Sequence, residues 1–466
     1  MNPDTLAVRL GDIVGAAQVF RADAIEDRYC CDILRKSHVR PGCVVRPGCV
    51  AEVAAIMQLA NAQGIPVTAL GGNTGLVGGG IAEEGGILLS LERLNRVTEV
   101  DSLSMTVTAE AGVPIAVVQS AVEANGLILP LDLGARGSAT VGGTISTNAG
   151  GTRVLRWGMM RDMVLGLEAV LADGTIVSSL GKSLKDNAGY DWKHYLIGTE
   201  GTLGIVTRAV LRLRPAPRST QTALVATGTV DDAAQILRFL QARLGGQLSS
   251  FELMWRNFYE FVTEAQLAKR PRPLPPTHGM YILIETLGDD EARDAQTFGE
   301  ALEDLLTKGL VADAVIAQSD RQRADLWAAR DDLLEAMAQL KPRFAFDVSM
   351  AIADMERFVG DVEARIRATL PDAVVMFYGH GGDGNLHVAV GPGPGEASAE
   401  ASVARIVYEC VRDVRGSISA EHGIGRYKRP YIGYSRSPGE LALMRTIKRA
   451  LDPNGILNPG KVIPDA

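Results

Sequence analysis

In 466 residues the chain carries only six histidines, five cysteines and four tryptophans. The cysteines (Cys30, Cys31, Cys43, Cys49 and Cys410) form no C-x-x-C pair. They are read as ordinary reduced thiols in a cytosol-like compartment. Basic residues are outnumbered, with a net charge of −8, which argues against nucleic acid as the main partner. No apolar run approaches the ~20 residues that cross a bilayer. No basic region followed by an apolar one opens the chain, and no Arg/Ser-rich, acid-poor presequence either. A cytoplasmic location is expected, with peripheral contact to a membrane left open. There is no G-x-G-x-x-G dinucleotide fingerprint, no G-x-x-x-x-G-K-[ST] phosphate loop, no internal repeat and no low-complexity block.

What is present is a long chain that is 46% hydrophobic, enough to fill two or three cores. Residues 50–63 have helical periodicity and stop before Gly64. A strand follows in IPVTAL, then others in ILLSL and SMTVTAEAG. Residues 114–125 read as a helix with proline in its first turn. VLGLEAVLADGTIV reads as a hairpin turning at Asp173-Gly174, and 202–214 as an alternating strand. PAPR at 215–218 marks a boundary. Beyond it, helical patterns at 231–244, 291–308 and 319–340 are interleaved with strands such as MYILIE and FAFDVSM. RPRPLPP at 270–276 reads as a surface loop. A third section opens near Gly416. The expected organisation is 1–217, 218–416 and 417–466.

Three glycine-rich segments lie beside strands in the first part: GGNTGLVGGG, PLDLGARGSATVGGTISTNAGG and GTEGTLGIVT. Glycine frees successive backbone N–H groups to surround a phosphate. One such loop means little. Three in one domain point to an extended ligand lying on exposed backbone, and a dinucleotide has that length.

The histidines are not scattered. Three of the six fall between 380 and 422, in VVMFYGHGGDGNLHVAV and SISAEHGIG. Two apolar strands flanking a glycine turn let His380 and His387 approach each other, and Glu421 adds a carboxylate. A lone histidine is more often a hydrogen-bonded core residue. Two imidazoles and a carboxylate suit zinc first, with manganese or iron also open.

Strand-GGNTG, PLDLGARGS…GG…TNAGG and KDNAGYD…GTEGTLGIVT together resemble the FAD-binding domain of the vanillyl-alcohol-oxidase/p-cresol-methylhydroxylase (PCMH) superfamily. GHGGDGNLH, SAEHGIG and DPNGILNPGK resemble its FAD-linked oxidase C-terminal branch, which includes D-lactate dehydrogenase, the glycolate oxidase catalytic subunit and D-2-hydroxyglutarate dehydrogenase. PLDLGARGSATVGG, NAGGTRVLRWG and SLKDNAGYD most resemble the last of these. The resemblance runs from about residue 40 to residue 462. It implies an α+β protein: a PCMH-type FAD-binding domain of two α/β subdomains, an α+β substrate domain with an antiparallel sheet, and a small, mainly helical C-terminal segment that completes the active site.

Carried over residue by residue, the resemblance implies that Gly71, Gly72, Asn73, Thr74 and Gly75 bind the FAD pyrophosphate. Leu131, Ser138, Gly142, Gly143, Asn148 and Gly150 line the cofactor. Glu200, Gly201, Gly204 and Ile205 hold its adenine half, and Asn458 reaches the isoalloxazine. Residues 64–160 hold no histidine or cysteine for covalent attachment, so dissociable FAD is expected. The resemblance also implies a divalent metal on His380, His387 and Glu421. His422 becomes the general base, Arg330 the partner of the substrate carboxylate, and Asn385 a substrate contact. The Cα hydride of a D-2-hydroxy acid would pass to flavin N5, giving the 2-oxo acid.

At two positions the chain departs from the D-2-hydroxyglutarate dehydrogenases. Leu334 and Ala345 stand where these carry threonine and lysine, so a distal carboxylate loses polar contacts, with Arg343 as a substitute. D-2-hydroxyglutarate leads as substrate; D-lactate and bulkier apolar acids stay open. So do an oxidase and a flavin-binding subunit of a larger, glycolate-oxidase-type complex. A metal-only hydrolase would leave the glycine segments unexplained. The electron acceptor is an electron-transfer flavoprotein, a quinone or a cytochrome, and a homodimer is the base-rate expectation.

Overall fold

The computed structural model describes residues 3–267, 269–337 and 340–464. The chain divides into two compact units. The first comprises 1–151, 158–216 and 421–466; the second comprises 152–157 and 217–420.

Among the described residues the first unit holds two larger sheets and a two-stranded pair, Leu127–Ile128 with Arg214–Pro215. One has four strands among the described residues, in the order Val19–Phe20, Cys43–Val45, Ile87–Ser90, Val67–Leu70. Its last three run parallel. Parallel strands need a crossover, and the helix Val50–Gln63 supplies it where the periodicity predicts a helix. Gly64 closes that helix in the left-handed region at φ 62°, as a residue without Cβ does at low cost. The other sheet has five antiparallel strands in the order Val97–Asp101, Thr106–Glu110, Ile205–Arg212, Val164–Val170, Ile176–Ser179. The expected hairpin turns at Gly174, with φ 86°. The helix predicted over 114–125 is Ile115–Glu123, with Pro114 as its cap rather than in its first turn.

Residues 421–464 fold back onto this same unit. Leu457 bridges Val67 in parallel, with the Val67 N–H donating to Ile456 O and the Asn458 N–H to Val67 O, both at 2.8 Å. The exposed edge of the four-stranded sheet is thereby covered, as an edge strand requires. Lys448 Nζ donates to Thr202 O and Leu457 O.

The second unit is built on a seven-stranded antiparallel sheet among the described residues. Its order is Asp313–Ile316, Ser219–Thr227, Met280–Gly288, Leu248–Trp255, Val374–His380, Asn385–Gly391, Phe344–Ser349. One face carries an apolar cluster that includes Met254, Phe258, Tyr259, Tyr281, Leu283, Met376 and Ala389. Tyr259 stacks on Tyr281 with centroids 3.8 Å apart, a contact worth about 0.5–1.5 kcal/mol beyond the area it buries. The helix predicted over 319–340 breaks in two, Asp320–Asp331 and Leu333–Met337. The break falls at Asp332, whose backbone leaves the helical region (φ −77°, ψ 58°). Both pieces then bury apolar residues on one cluster, Leu326 and Ala329 from the first, Ala336 and Met337 from the second.

Candidate active site

In the first unit the strand Val67–Leu70 runs straight into the loop Gly71–Gly75. A cavity of about 540 Å³ opens beside it, lined by Gly71, Gly72, Asn73, Ser90, Pro114, Ser138 and Thr140, among others. The glycine at 72 is obligatory: a Cβ there would lie 1.8 Å from Ser138 O. Asn73 takes φ 52°, and its Nδ2 donates to the carbonyls of Arg28 and Cys31 at 2.9 Å each. That amide pins an N-terminal segment to the cavity wall, so Arg28, Cys31, Asp32 and Arg35 line it too. None of these four was legible as a site residue, since they form no motif and arrive only through the fold. Cys31 also lies outside the 64–160 window read for covalent attachment; its thiol donates to Asp27 O.

The other cofactor candidates divide in two. Gly142 and Gly143 sit in the short helix Val141–Thr147, capped by the Thr140 hydroxyl. Gly142 packs so that a Cβ would lie 2.7 Å from Ala111 Cβ. Asn148 ends that helix with φ 50°, and its Oδ1 accepts the Arg161 N–H. Leu131, Gly150, Gly201, Gly204 and Ile205 are buried, Thr74 is half-buried, and Gly75 is exposed. Glu200 and Asn458 act on the chain itself. The Glu200 carboxylate accepts the N–H groups of Ile424 and Gly425 at 2.7 and 2.9 Å. Burial pushes this carboxyl up, against the pull of those two N–H groups. Asn458 Nδ2 donates to Gly79 O and Glu200 O. A cavity of this size, walled by glycine backbone and hydroxyls with Arg28 and Arg35 beside them, fits the phosphate-bearing part of a dinucleotide.

In the second unit, alternation along four neighbouring strands collects charge on one end of an otherwise apolar face. Side chains two apart share a face. His387 therefore projects with Asn385 and Ala389, His380 with Tyr378 and Met376, Asp347 with Ala345, and Glu252 with Met254. The register then aligns them: Glu252 opposite His380, Tyr378 opposite His387, Asp347 opposite His387 on its other side, and Ala345 opposite Ala389. The hairpin turn places the two imidazoles with centroids 5.4 Å apart at 82°. Gly384 makes this possible: its φ is 83°, and a Cβ would meet Met350 O at 2.4 Å.

Each imidazole stands beside a buried carboxylate. His380 Nδ1 lies 2.7 Å from Glu252 Oε1. His387 Nδ1 lies 3.8 Å from Asp347 Oδ1. Asp347 is fully buried and also accepts Asn385 Nδ2 at 2.7 Å and the Ala420 N–H at 3.1 Å. The last bond anchors the peptide that leads directly into Glu421 and His422. Arg330 is 5% exposed. Its Nε donates to Glu252 Oε2 at 3.0 Å, and its guanidinium lies 5.0 Å from the centre of the Tyr378 ring. Burial alone would raise the Glu252 carboxyl, but His380 and Arg330 beside it hold it below the usual range. Burial pushes Asp383, in the hairpin turn, up to about 6. Asn385 Oδ1 is buried with no hydrogen-bond partner among the described residues, an acceptor that a ligand donor would satisfy.

Arg343 is exposed just before the Phe344–Ser349 strand, and its charge is felt by Tyr378. The Leu334 side chain lies outside the described residues. Sequence reasoning missed Glu252, Asp347 and Tyr378. A signal was there: FELMW and FAFDVS each place one acid in an apolar strand, where an unpaired charge is costly. Two imidazoles side by side, with carboxylates in excess of the single buried arginine, are a donor set that fits a divalent cation.

Comparison with known proteins places the chain in a family. Residues 216–462 match the family model described as FAD linked oxidases, C-terminal domain, and residues 41–179 the FAD binding domain. A D-2-hydroxyglutarate dehydrogenase of Xanthomonas citri pv. viticola is 38% identical over 465 residues, covering 98% of this chain and 97% of that protein. The mitochondrial D-2-hydroxyglutarate dehydrogenase of Arabidopsis thaliana is 39% identical over 88% of this chain and 73% of its own. A putative mitochondrial D-lactate dehydrogenase of Schizosaccharomyces pombe is 37% identical over 88% of this chain and 80% of its own. The structure of p-cresol methylhydroxylase shares the fold, with a TM-score of 0.76 at 17% identity, over 98% of this chain and 96% of that one. No helix among the described residues is long and apolar enough to cross a membrane. The chain has the fold of p-cresol methylhydroxylase and belongs to the FAD-linked oxidases and, within them, to the D-2-hydroxy-acid dehydrogenases.

Proposed function

We propose that the chain oxidises a D-2-hydroxy acid to the 2-oxo acid, with D-2-hydroxyglutarate as the leading substrate. The observation that carries this reading is the charged end of the second unit's sheet, where Asn385, His380 and His387 share one face and Arg330, from a helix, packs against Glu252 and Tyr378 beside them. Dissociable FAD would be held by the glycine segments Gly71–Gly75, Ser138–Gly150 and Glu200–Ile205, and by Asn458. A divalent cation, zinc first, would be held by His380, His387 and Glu421. When bound, FAD supplies the acceptor for the Cα hydride, and the cation supplies the Lewis acidity that lowers the hydroxyl pKa.

The chain's own residues do the rest. Arg330 offers its fork to the substrate carboxylate, bidentate and always charged. Asn385 Oδ1 accepts from the substrate hydroxyl or a bound water. His422 Nε2 or Nδ1 takes the hydroxyl proton, a task for which imidazole is suited near neutral pH. The half-buried Tyr378 ring backs the guanidinium, 5.0 Å from it. A second reading, an apolar D-2-hydroxy acid, draws on the Ala345–Ala389 pair. Two methyl groups there offer a distal carboxylate nothing, and Arg343 is the cation that would have to serve it.

The test is anaerobic addition of D- and L-2-hydroxy acids to the purified flavoprotein, with and without prior EDTA, following the flavin absorption. Bleaching by D-isomers alone, abolished by EDTA, is expected; the best substrate then separates the two readings. If no hydroxy acid bleaches the flavin, the proposed reaction is wrong. Once substrate has reduced the flavin, an electron-transfer flavoprotein, a quinone or a cytochrome would reoxidise it; stoichiometric peroxide in air would make the enzyme an oxidase instead.

A further inference from the structure

Glu252 lies in the middle of a strand, 1% exposed, and its carboxylate is divided between two partners. Oε1 meets His380 Nδ1 at 2.7 Å, and Oε2 accepts the Arg330 Nε–H at 3.0 Å. We infer that Glu252 is a positioning residue with two tasks: it sets the His380 tautomer for a divalent cation, and it aims the Arg330 fork at the substrate carboxylate. The inference rests on the metal and carboxylate roles proposed above for these two residues.

The argument is one of donors and acceptors. A carboxylate that takes an arginine N–H on one oxygen offers its other oxygen as an acceptor. The His380 contact at 2.7 Å then requires the ring proton on Nδ1, which puts the ring's lone pair on Nε2. A metal takes the lone pair, so the carboxylate chooses the ligating nitrogen before any metal arrives. The contact is built into the ladder, because Glu252 and His380 are direct cross-strand partners. His387 is held differently. Its Nδ1 stands 3.8 Å from Asp347 Oδ1, an ion-pair distance beyond hydrogen-bond reach.

Arg330 is fixed by the same carboxylate. Its helix, Asp320–Asp331, is seated on the apolar cluster through Leu326 and Ala329. With Nε given to Glu252, a substrate carboxylate is met through the Nη groups, the end-on edge of the fork, where Nη1 also stands 3.8 Å from Asp331 Oδ1. One buried acid thus joins the place that takes the cation to the place that takes the carboxylate. A shift of the Leu248–Trp255 strand would disturb both at once.

Glu252→Gln keeps the shape and breaks the logic. If the amide oxygen stays on the Arg330 Nε–H, the amide N–H₂ faces His380 Nδ1 and drives the ring proton to Nε2, where the metal needs the lone pair. If the amide flips, its N–H₂ confronts the Arg330 donor. Glu252→Asp is shorter by one methylene and cannot span both partners.

The experiment uses the full-length flavoprotein stripped with EDTA and titrated calorimetrically with Mn²⁺ alone. FAD content, melting temperature, kcat and KM are measured beside it. E252Q is expected to bind Mn²⁺ about 10–100-fold more weakly than the wild type, to raise KM, and to keep its full FAD content. E252D is expected to shift both in the same direction by less, and serves if E252Q fails to fold. R330M is expected to raise KM while keeping Mn²⁺ affinity, which a general loosening of the unit would not do. Wild-type Mn²⁺ affinity in both Glu252 variants overturns the inference and leaves the metal reading standing. A wild type that binds no Mn²⁺, or a His387→Ala variant that binds it equally well, overturns both.

Discussion

The two units make their sites from opposite materials. The cavity of the first unit has a backbone wall of glycines, hydroxyls and peptide groups, with Gly72 packed so closely on Ser138 that no side chain fits, beside an N-terminal segment that brings Arg28, Asp32 and Arg35. The polar face of the second is a side-chain site: two imidazoles, buried carboxylates and a buried arginine at one end of a sheet face that also packs the apolar cluster. A backbone site tolerates changes of charge and fails on changes of volume. A side-chain site does the reverse. Substitutions should therefore separate cofactor retention from turnover.

The largest expected separation is at His387. His387→Ala removes a proposed ligand of a Lewis acid that supplies several kcal/mol, so kcat should fall by about 10³-fold while the flavin absorption per mole of protein stays at the wild-type value. Loss of flavin in this variant would break the comparison. Gly72→Ala should do the opposite. Its Cβ overlaps a backbone carbonyl that cannot swing aside, overpacking that costs about 1–3 kcal/mol or more. The purified protein should carry little flavin, while its Mn²⁺ affinity, measured by calorimetry, stays unchanged.

Arg330→Met is expected to cost about 3 kcal/mol of stability in urea denaturation, because it strips one partner from a fully buried carboxylate. KM should rise with it. The smallest effect belongs to Glu200. Its carboxyl is raised in the folded state, so the folded protein holds that proton more tightly than the unfolded chain. Stability from this group is present below the unfolded glutamate value, about 4.3. It is lost as pH rises from there through the folded value, and is level beyond. Glu200→Gln should lower stability overall, since its amide cannot accept both N–H groups of Ile424 and Gly425, yet this slope should vanish from its pH–stability curve.

The same contrast explains what could be read in advance. Backbone sites write themselves into sequence as glycine, so the Gly71–Gly75 loop was visible at once. The hairpin with His380 and His387 was visible because turn and histidines are neighbours in sequence. Glu252 and Asp347 were not. Alternation says which way each points, but only the strand order says that Glu252 faces His380 across a ladder. Arg28, Cys31 and Arg35 reach the cavity wall through one amide, that of Asn73, a contact no local pattern announces. The helix over 319–340 was read as continuous because nothing in its periodicity marks Asp332 as a break.

The return of residues 421–464 to the first unit has a consequence in time rather than in space. On the ribosome, the edge of the four-stranded sheet beside Val67 waits for Ile456, Leu457 and Asn458. By then every strand of the seven-stranded sheet has been made. Domains tend to fold as units while they emerge. The unit encoded in the middle can thus finish before the unit encoded at both ends, and the nascent glycine cavity spends that interval with one edge of its sheet unpaired.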